Sequence, residues 1–480
     1  MRISDLLSRT SWILVVTLAG LSAIASDGSY PEGLRPPLDA VLESAGPTDL
    51  VPISIVLTEQ AAVVDLRRAA AGRTGDARRR AVIDRLKANA RGTQGPIVRL
   101  LDAERDRGRV ARLRPLWIGN VIGVDATPDL VRAIAARPEV AWVNHNPKVD
   151  VALLQPRSLA ESTTSFESGS AAAVECGTDR MDAPRVWNEL GITGNGAVIA
   201  VIDSGTCITH PDIANQVWVN PGEDLDGDGV VMDVDDENGV DDDGNGFVDD
   251  LIGWDFDTDD NDPDDNNSHG SHVAGTVAGD GTSGTQAGMA PDASLMIVRV
   301  GLTFADEVSV WSGMQYAADN GADSITMSLG WPHNQNPDRA TWRQNAENAI
   351  EAGTAMVIAA GNEGSGNEPD NIRTPGDVPR IISVAATDCS DNIASFSSRG
   401  PVSWEGVAPY DDHPYPPGLI KPDVAGPGVS TVSHNYCSGY SSKSGTSMAT
   451  PHVAGAVALM MEANPGLLHD ELRLLHFPSH

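Results

Sequence analysis

The chain is poor in positive charge. Against 67 Asp and Glu it carries 33 Lys and Arg, a formal net charge of −34 over 480 residues. That balance excludes nucleic-acid binding through the whole surface, because phosphate contacts need a basic footprint. Aromatic residues are only 5% of the sequence, whereas 48 Gly and 31 Pro imply many turns. Beyond the first 25 residues no stretch is long and apolar enough to cross a bilayer. Cysteine is limited to Cys176, Cys207, Cys389 and Cys437. An even number in an exported chain allows one or two disulfides, with three full pairings open and Cys207 alternatively a free thiol.

What is present begins with an export signal. Arg2 and Arg9 precede the apolar run Trp12 to Leu21, and Ala23-Ile24-Ala25 has the small-x-small pattern that a signal peptidase reads. Cleavage is expected after Ala25, giving a protein secreted or held in the periplasm, with no membrane partner. From 48 to 150 the sequence reads as a separate, locally basic α+β unit. Val51 to Leu57 is a strand, Ala61 to Arg109 one or two helices broken near Gly92 and Gly95-Pro96, and Leu116 to Ala126 a strand. Thr127 caps a helix opened by Pro128, and Val140 to Val143 closes the unit. Its basic face suits an acidic partner in the same chain. Residues 151–178 read as a linker.

From 179 to 480 strands alternate with helices. The runs Ala197 to Ile202, Leu295 to Val300, Ser324 to Leu329, Ala355 to Ala360 and Ile381 to Ala386 are mostly apolar or β-branched, with helices at Val308 to Asp319 and Ala340 to Ala352. Such runs predict a buried, mainly parallel sheet covered on both faces, a three-layer α/β domain with its site at the carboxyl ends of the strands. Three Gly-flanked places stand there: Asp203-Ser204-Gly205, Ala359-Ala360-Gly361-Asn362, and the helix start Ser268-His269-Gly270. A fourth, Gly445-Thr446-Ser447-Met448, turns into a helix, putting Ser447 at its N-terminus and Pro451 in its first turn. An acid, a histidine and a serine thus converge on one domain.

These blocks, Val201 to Gly205, His269 to Gly275, Ala359 to Asn362 and Gly445 to Gly455, resemble those of the subtilisin-like serine proteases, the subtilases, over nearly the whole chain. The order Asp, His, Ser is that of subtilisin and enters as part of the resemblance. It implies a serine endopeptidase in which Ser447 attacks a peptide carbonyl, His269 carries the proton and Asp203 orients His269. Asn362 and the Ser447 N–H would bind the oxyanion. Ser328, Leu329 and Gly330 with Ala359, Ala360 and Gly361 would flank an extended protein or peptide substrate, and Trp331 would narrow or cover a pocket. The unit 48–150 is similar to an inhibitory propeptide, implying a monomeric, self-processing zymogen cut between Lys148 and Thr178. His272 and His452 read as structural, and Met448 as a point of oxidation if exposed. The family also implies a longer finish than His476 to His480 provides.

Between Glu223 and Asp265 stand twenty Asp or Glu and no Lys or Arg. Within this insert Asp224-x-Asp226-x-Asp228-Gly229 and Asp241-x-Asp243-x-Asn245-Gly246 repeat the spacing of a calcium loop. The twelfth positions are Asp235 and Ile252, so neither is an EF-hand. Structural calcium is expected here, ordering the approach to His269; a solvated acidic loop is the alternative. A binding protein on an inactive protease fold would lack one of the four site residues, and a lipase would show a Gly-x-Ser-x-Gly elbow, absent around Ser447.

Overall fold

The computed structural model describes residues 33–153, 173–231, 236–366 and 369–475. The export signal, most of the linker, Asp235 and the last five residues lie outside the described residues.

The N-terminal unit is a four-stranded antiparallel sheet in the order Val110–Leu116, Val121–Ala126, Val51–Leu57, Val140–His145. The two-residue period of a strand divides its faces. Ile53, Ile55 and Leu57 pack with Ile97, Leu101, Val131 and Ile134 from the helices Gly95–Arg105 and Pro128–Ala135. Val56, Leu116, Ile118 and Val121 join the core of the following domain instead. The strand expected from Leu116 to Ala126 is two strands, because the chain turns at Trp117 to Asn120, where Asn120 takes φ +45°. Asn tolerates that left-handed conformation, and the apolar residues on both sides hide the turn in a hydropathy reading.

The catalytic-size domain is built on seven parallel strands, ordered Val424–Pro427, Ile382–Thr387, Ala355–Ala359, Ser324–Met327, Val198–Asp203, Ser294–Arg299, Gly253–Asp255. Each central strand serves two cores. Ala200, Ile202, Met296, Val298, Ile325, Met327 and Ile358 face the helices Glu307–Asp319 and Arg339–Ala352. Ile199, Val201, Leu295, Ile297, Val357 and Val384 face the helices His269–Ala278 and Thr446–Ala463. Burial on both faces explains why these strands read as mostly apolar runs without strict alternation. The short edge strands Gly253–Asp255 and Val424–Pro427 and the hairpin Thr431–His434 with Tyr440–Lys443 carry no such run and were not expected.

The N-terminal unit lays its sheet across the two helices on the first face. Gln315 Oε1 accepts from the N–H groups of Trp117 at 2.6 Å and Ile118 at 3.2 Å. Its basic residues meet acids of the larger domain, Arg67 with Glu351 at 2.9 Å, Lys87 with Asp319 at 2.7 Å and Lys148 with Asp257 at 2.7 Å.

Candidate active site

Asp203 is the last residue of its strand, and His269 the first of its helix. Both are fully buried. His269 Nδ1 donates to Asp203 Oδ1 at 2.7 Å, and the Ser204 N–H donates to the same oxygen at 2.8 Å. A carboxylate at Nδ1 places the ring proton there and leaves Nε2 as the basic nitrogen. Nε2 is buried and makes no hydrogen bond among the described residues. The helix start is bent into place by Ser268 at φ +64°, whose carbonyl and hydroxyl both accept from Lys443 Nζ.

Ser447 is the second residue of Thr446–Ala463 and is fully buried. Its Oγ lies 2.8 Å from the Leu153 carbonyl oxygen and 3.0 Å from that of Ser328. The Leu153 oxygen also accepts from Asn362 Nδ2 at 2.8 Å. The Asn362 amide is oriented by Thr446, whose N–H and Oγ1 donate to Asn362 Oδ1 at 2.9 and 3.0 Å. The Ser447 backbone N–H makes no hydrogen bond to the Leu153 oxygen. A Cβ on Gly445 would stand 2.6 Å from the Leu153 oxygen, so only glycine leaves room for this approach. Pro451 lies inside the helix and not in its first turn. Its missing N–H would have bonded the carbonyl four residues earlier, that of Ser447. Ser328 Oγ donates to that carbonyl instead, at 2.8 Å.

Residues 149–153 run extended into this junction. Val149 and Ala305 exchange two backbone hydrogen bonds, at 2.8 and 3.0 Å, and the Val151 N–H donates to Leu302 at 2.9 Å. On the other side Ala152 bridges Leu329, and the Gly330 N–H donates to Val151 at 3.1 Å. The structure therefore brings Ser328, Leu329 and Gly330 to the segment. Ala359, Ala360 and Gly361 make no hydrogen bond to it; the second flank is Leu302 to Ala305, a stretch without a sequence signal. The Gly361 N–H instead donates to Thr446 Oγ1 at 3.2 Å.

In the insert the spacing-derived ligands divide. Asp224 and Asp226 gather with Asp236, and Asp243 gathers with Glu223 and Asp250. Asp236 and Glu223 are buried, and each has one carboxylate oxygen without a partner. Burial pushes Asp250 up to about 7. Oxygen-rich, unneutralised and partly orphaned, both groups fit a hard cation. Asp241 and Asn245 stay in the second loop, where Asp241 accepts from the N–H groups of Asn245 and Gly246. Asp228 accepts from Val230 and stands outside both groups. Glu223 and Asp236 were missed because they flank the first twelve-residue loop, and Asp250 because it is the tenth residue of the second, not one of the ligand positions.

The cysteines pair as Cys176–Cys389 and Cys207–Cys437, so Cys207 is no free thiol. His272 Nε2 lies 3.1 Å from the Ser441 carbonyl, and burial holds the ring well below the usual imidazole range. His452 Nδ1 donates to the Met448 carbonyl at 2.8 Å. Met448 itself is fully buried, which shields it from oxidant. Trp331 tilts against Trp342 at 5.2 Å, inside the core.

The Subtilase family matches residues 194–476. The chain belongs to that family, and it is a serine-type endopeptidase on a three-layer α/β fold. An alkaline protease of Alkalihalobacillus alcalophilus is 32% identical over 357 residues, covering 74% of this chain and 72% of the relative. Subtilisin Savinase of Lederbergia lenta is 33% identical over 63% of this chain and 90% of its own, and thermitase of Thermoactinomyces vulgaris 34% over 59% and 81%. A crystal structure of a cold adapted subtilisin-like serine proteinase shares 28% identity over 59% of this chain and 82% of that one, with a TM-score of 0.43.

Proposed function

We propose that the chain is a secreted zymogen whose Ser447, His269 and Asp203 hydrolyse peptide bonds through an acyl-enzyme, and that its first substrate is its own Leu153–Leu154 bond. The observation that carries this is the Leu153 carbonyl oxygen, which accepts from Asn362 Nδ2 at 2.8 Å and lies 2.8 Å from Ser447 Oγ. As Oγ bonds the carbonyl carbon, its proton passes to His269 Nε2, the negative charge gathers on the oxygen facing Asn362, and Asp203 stabilises the imidazolium. The proton then goes to the leaving amine, and water repeats the sequence to release the acid. Loss of the Asn362 donor should lower kcat by about 10²–10³.

The unit 48–150 acts as inhibitor in this reading: after the cut, residues 149–153 keep the backbone bonds that hold them in the cleft. Calcium would fill the Asp224–Asp226–Asp236 and Glu223–Asp243–Asp250 groups as a structural ion, fixing the insert. Expression of the wild type should yield a processed N-terminus at Leu154, and Ser447→Ala an uncut precursor. A purified Ser447→Ala protein that trims itself normally would overturn the proposal.

A further inference from the structure

Asp265, the last acid of the insert, is only 1% exposed, yet no cation is among its hydrogen-bond partners. Its Oδ1 accepts from Ser204 Oγ at 2.8 Å, from the Asn267 N–H at 2.8 Å and from the Ser268 N–H at 3.0 Å. Its Oδ2 accepts from the Ser271 N–H at 2.9 Å and the Ser271 hydroxyl at 2.7 Å. Ser204 Oγ in turn accepts from the Gly270 N–H at 2.9 Å, and Ser271 Oγ from the Cys207 N–H at 3.0 Å. The donors come from both sides of one junction. Ser204 follows Asp203 at a strand end, and Ser268, Gly270 and Ser271 surround His269 at a helix start. Those two elements are 66 residues apart, so nothing local sets the angle at which Asp203 meets His269.

We infer that Asp265 is a positioning residue for peptide hydrolysis: it clamps the Asp203 strand end to the His269 helix start. The inference rests on the triad reading above. The proton that leaves Ser447 Oγ as the Oγ–C bond forms resides on His269 Nε2 until the amine departs, so the angle at which Asp203 meets His269 must hold through that interval. A neutral amide cannot substitute. In Asp265→Asn one oxygen becomes an NH₂, which faces either the N–H groups of Asn267 and Ser268 or that of Ser271, donors that have no freedom to turn away.

The test uses the full chain, matured, with a chromogenic peptide whose carbonyl residue is leucine. Asp265→Asn should lower kcat about 10–100-fold, the range for lost outer partners of a working group, with KM within about twofold. Ser204→Ala breaks the strand side of the bridge, so kcat should fall several-fold with KM again little changed. Asp265→Asn that folds with unchanged kcat overturns the inference. If that variant does not accumulate, Ser204→Ala decides, and wild-type kcat overturns it equally. Absence of peptide cleavage by the wild type would instead overturn the triad reading itself.

Discussion

Ser328 and Ser447 exchange hydrogen bonds across the cleft: Ser328 Oγ donates to the Ser447 carbonyl at 2.8 Å, and Ser447 Oγ lies 3.0 Å from the Ser328 carbonyl. The first bond exists because Pro451, four residues on, has no N–H to offer. A helix defect one turn past Ser447 is thereby used to tie the Ser447 turn to the end of the strand Ser324–Met327.

Ser328→Ala should leave the Ser447 carbonyl buried without a partner and cost about 1–3 kcal/mol of stability. Pro451→Ala, which restores the helical N–H, should recover part of that loss in the double variant while being close to neutral or unfavourable alone. Thermal unfolding of the four proteins in the cycle measures the coupling. Additive losses would show that the two residues do not share the carbonyl.

The contact between the N-terminal unit and the larger domain should weaken with salt. Every cation of the pairs Arg67–Glu351, Arg79–Asp323, Lys87–Asp319 and Lys148–Asp257 comes from the N-terminal unit, and every anion from the larger domain. Single exposed pairs contribute only about 0.2–1 kcal/mol each, but the set is one-sided and screens together. After self-cleavage, raising NaCl from 0.02 to 0.5 M should release propeptide measured by gel filtration, roughly tenfold more at equilibrium by these magnitudes. Salt-independent retention would assign the contact to its apolar face alone.

Much of this fold was legible because burial on both faces leaves mostly apolar runs, and because Asp203 and Asn362 sit where two of those runs end while His269 and Ser447 open Gly-flanked helices. The parts that were not legible depend on partners distant in sequence. Leu302 to Ala305 forms one wall of the cleft through backbone atoms, which leave no side-chain signature. Asp236, Glu223 and Asp250 become ligand candidates only once the insert has folded back on itself. Pro451 read as a first-turn residue because its compensation, Ser328 Oγ, is 119 residues away from Ser447.

Chelation should loosen the insert. With calcium as proposed, its removal would leave the Glu223 and Asp236 oxygens buried without a partner and the carboxylates mutually repelling. The unfolding temperature should fall by several degrees, since even domains of roughly 150–250 residues lose only about 2–4 °C per kcal/mol and several carboxylates are involved, and activity should fall with it. Glu223→Gln and Asp236→Asn should each shrink the difference between calcium-loaded and chelated protein. A chelator that changes neither quantity contradicts the structural role given to the metal.

Acid should destabilise the fold through buried histidines. Burial, and next the stacked His434 ring at 3.9 Å, push His210 down to about 4, and burial does the same to His469. In the unfolded chain each titrates near about 6.5, so between these values the unfolded state binds more protons. Stability is then intact above about pH 6.5 and lost progressively as pH falls toward 4, by up to about 3 kcal/mol for each histidine. Denaturant melts of the Ser447→Ala precursor across that range should show the slope, and His210→Asn should remove about half of it. An identical slope in the variant would place the acid sensitivity elsewhere.

The central claim is that Ser447 is the nucleophile and that Leu153 occupies its place before maturation. The most direct measurement is labelling with a serine-directed fluorophosphonate, followed by mass mapping of the modified peptide. The account predicts one adduct on Ser447 of the processed enzyme, with peptidase activity lost in proportion. Processed enzyme that is fully active with Ser447 labelled, or labelled and inactivated at another serine, would contradict it.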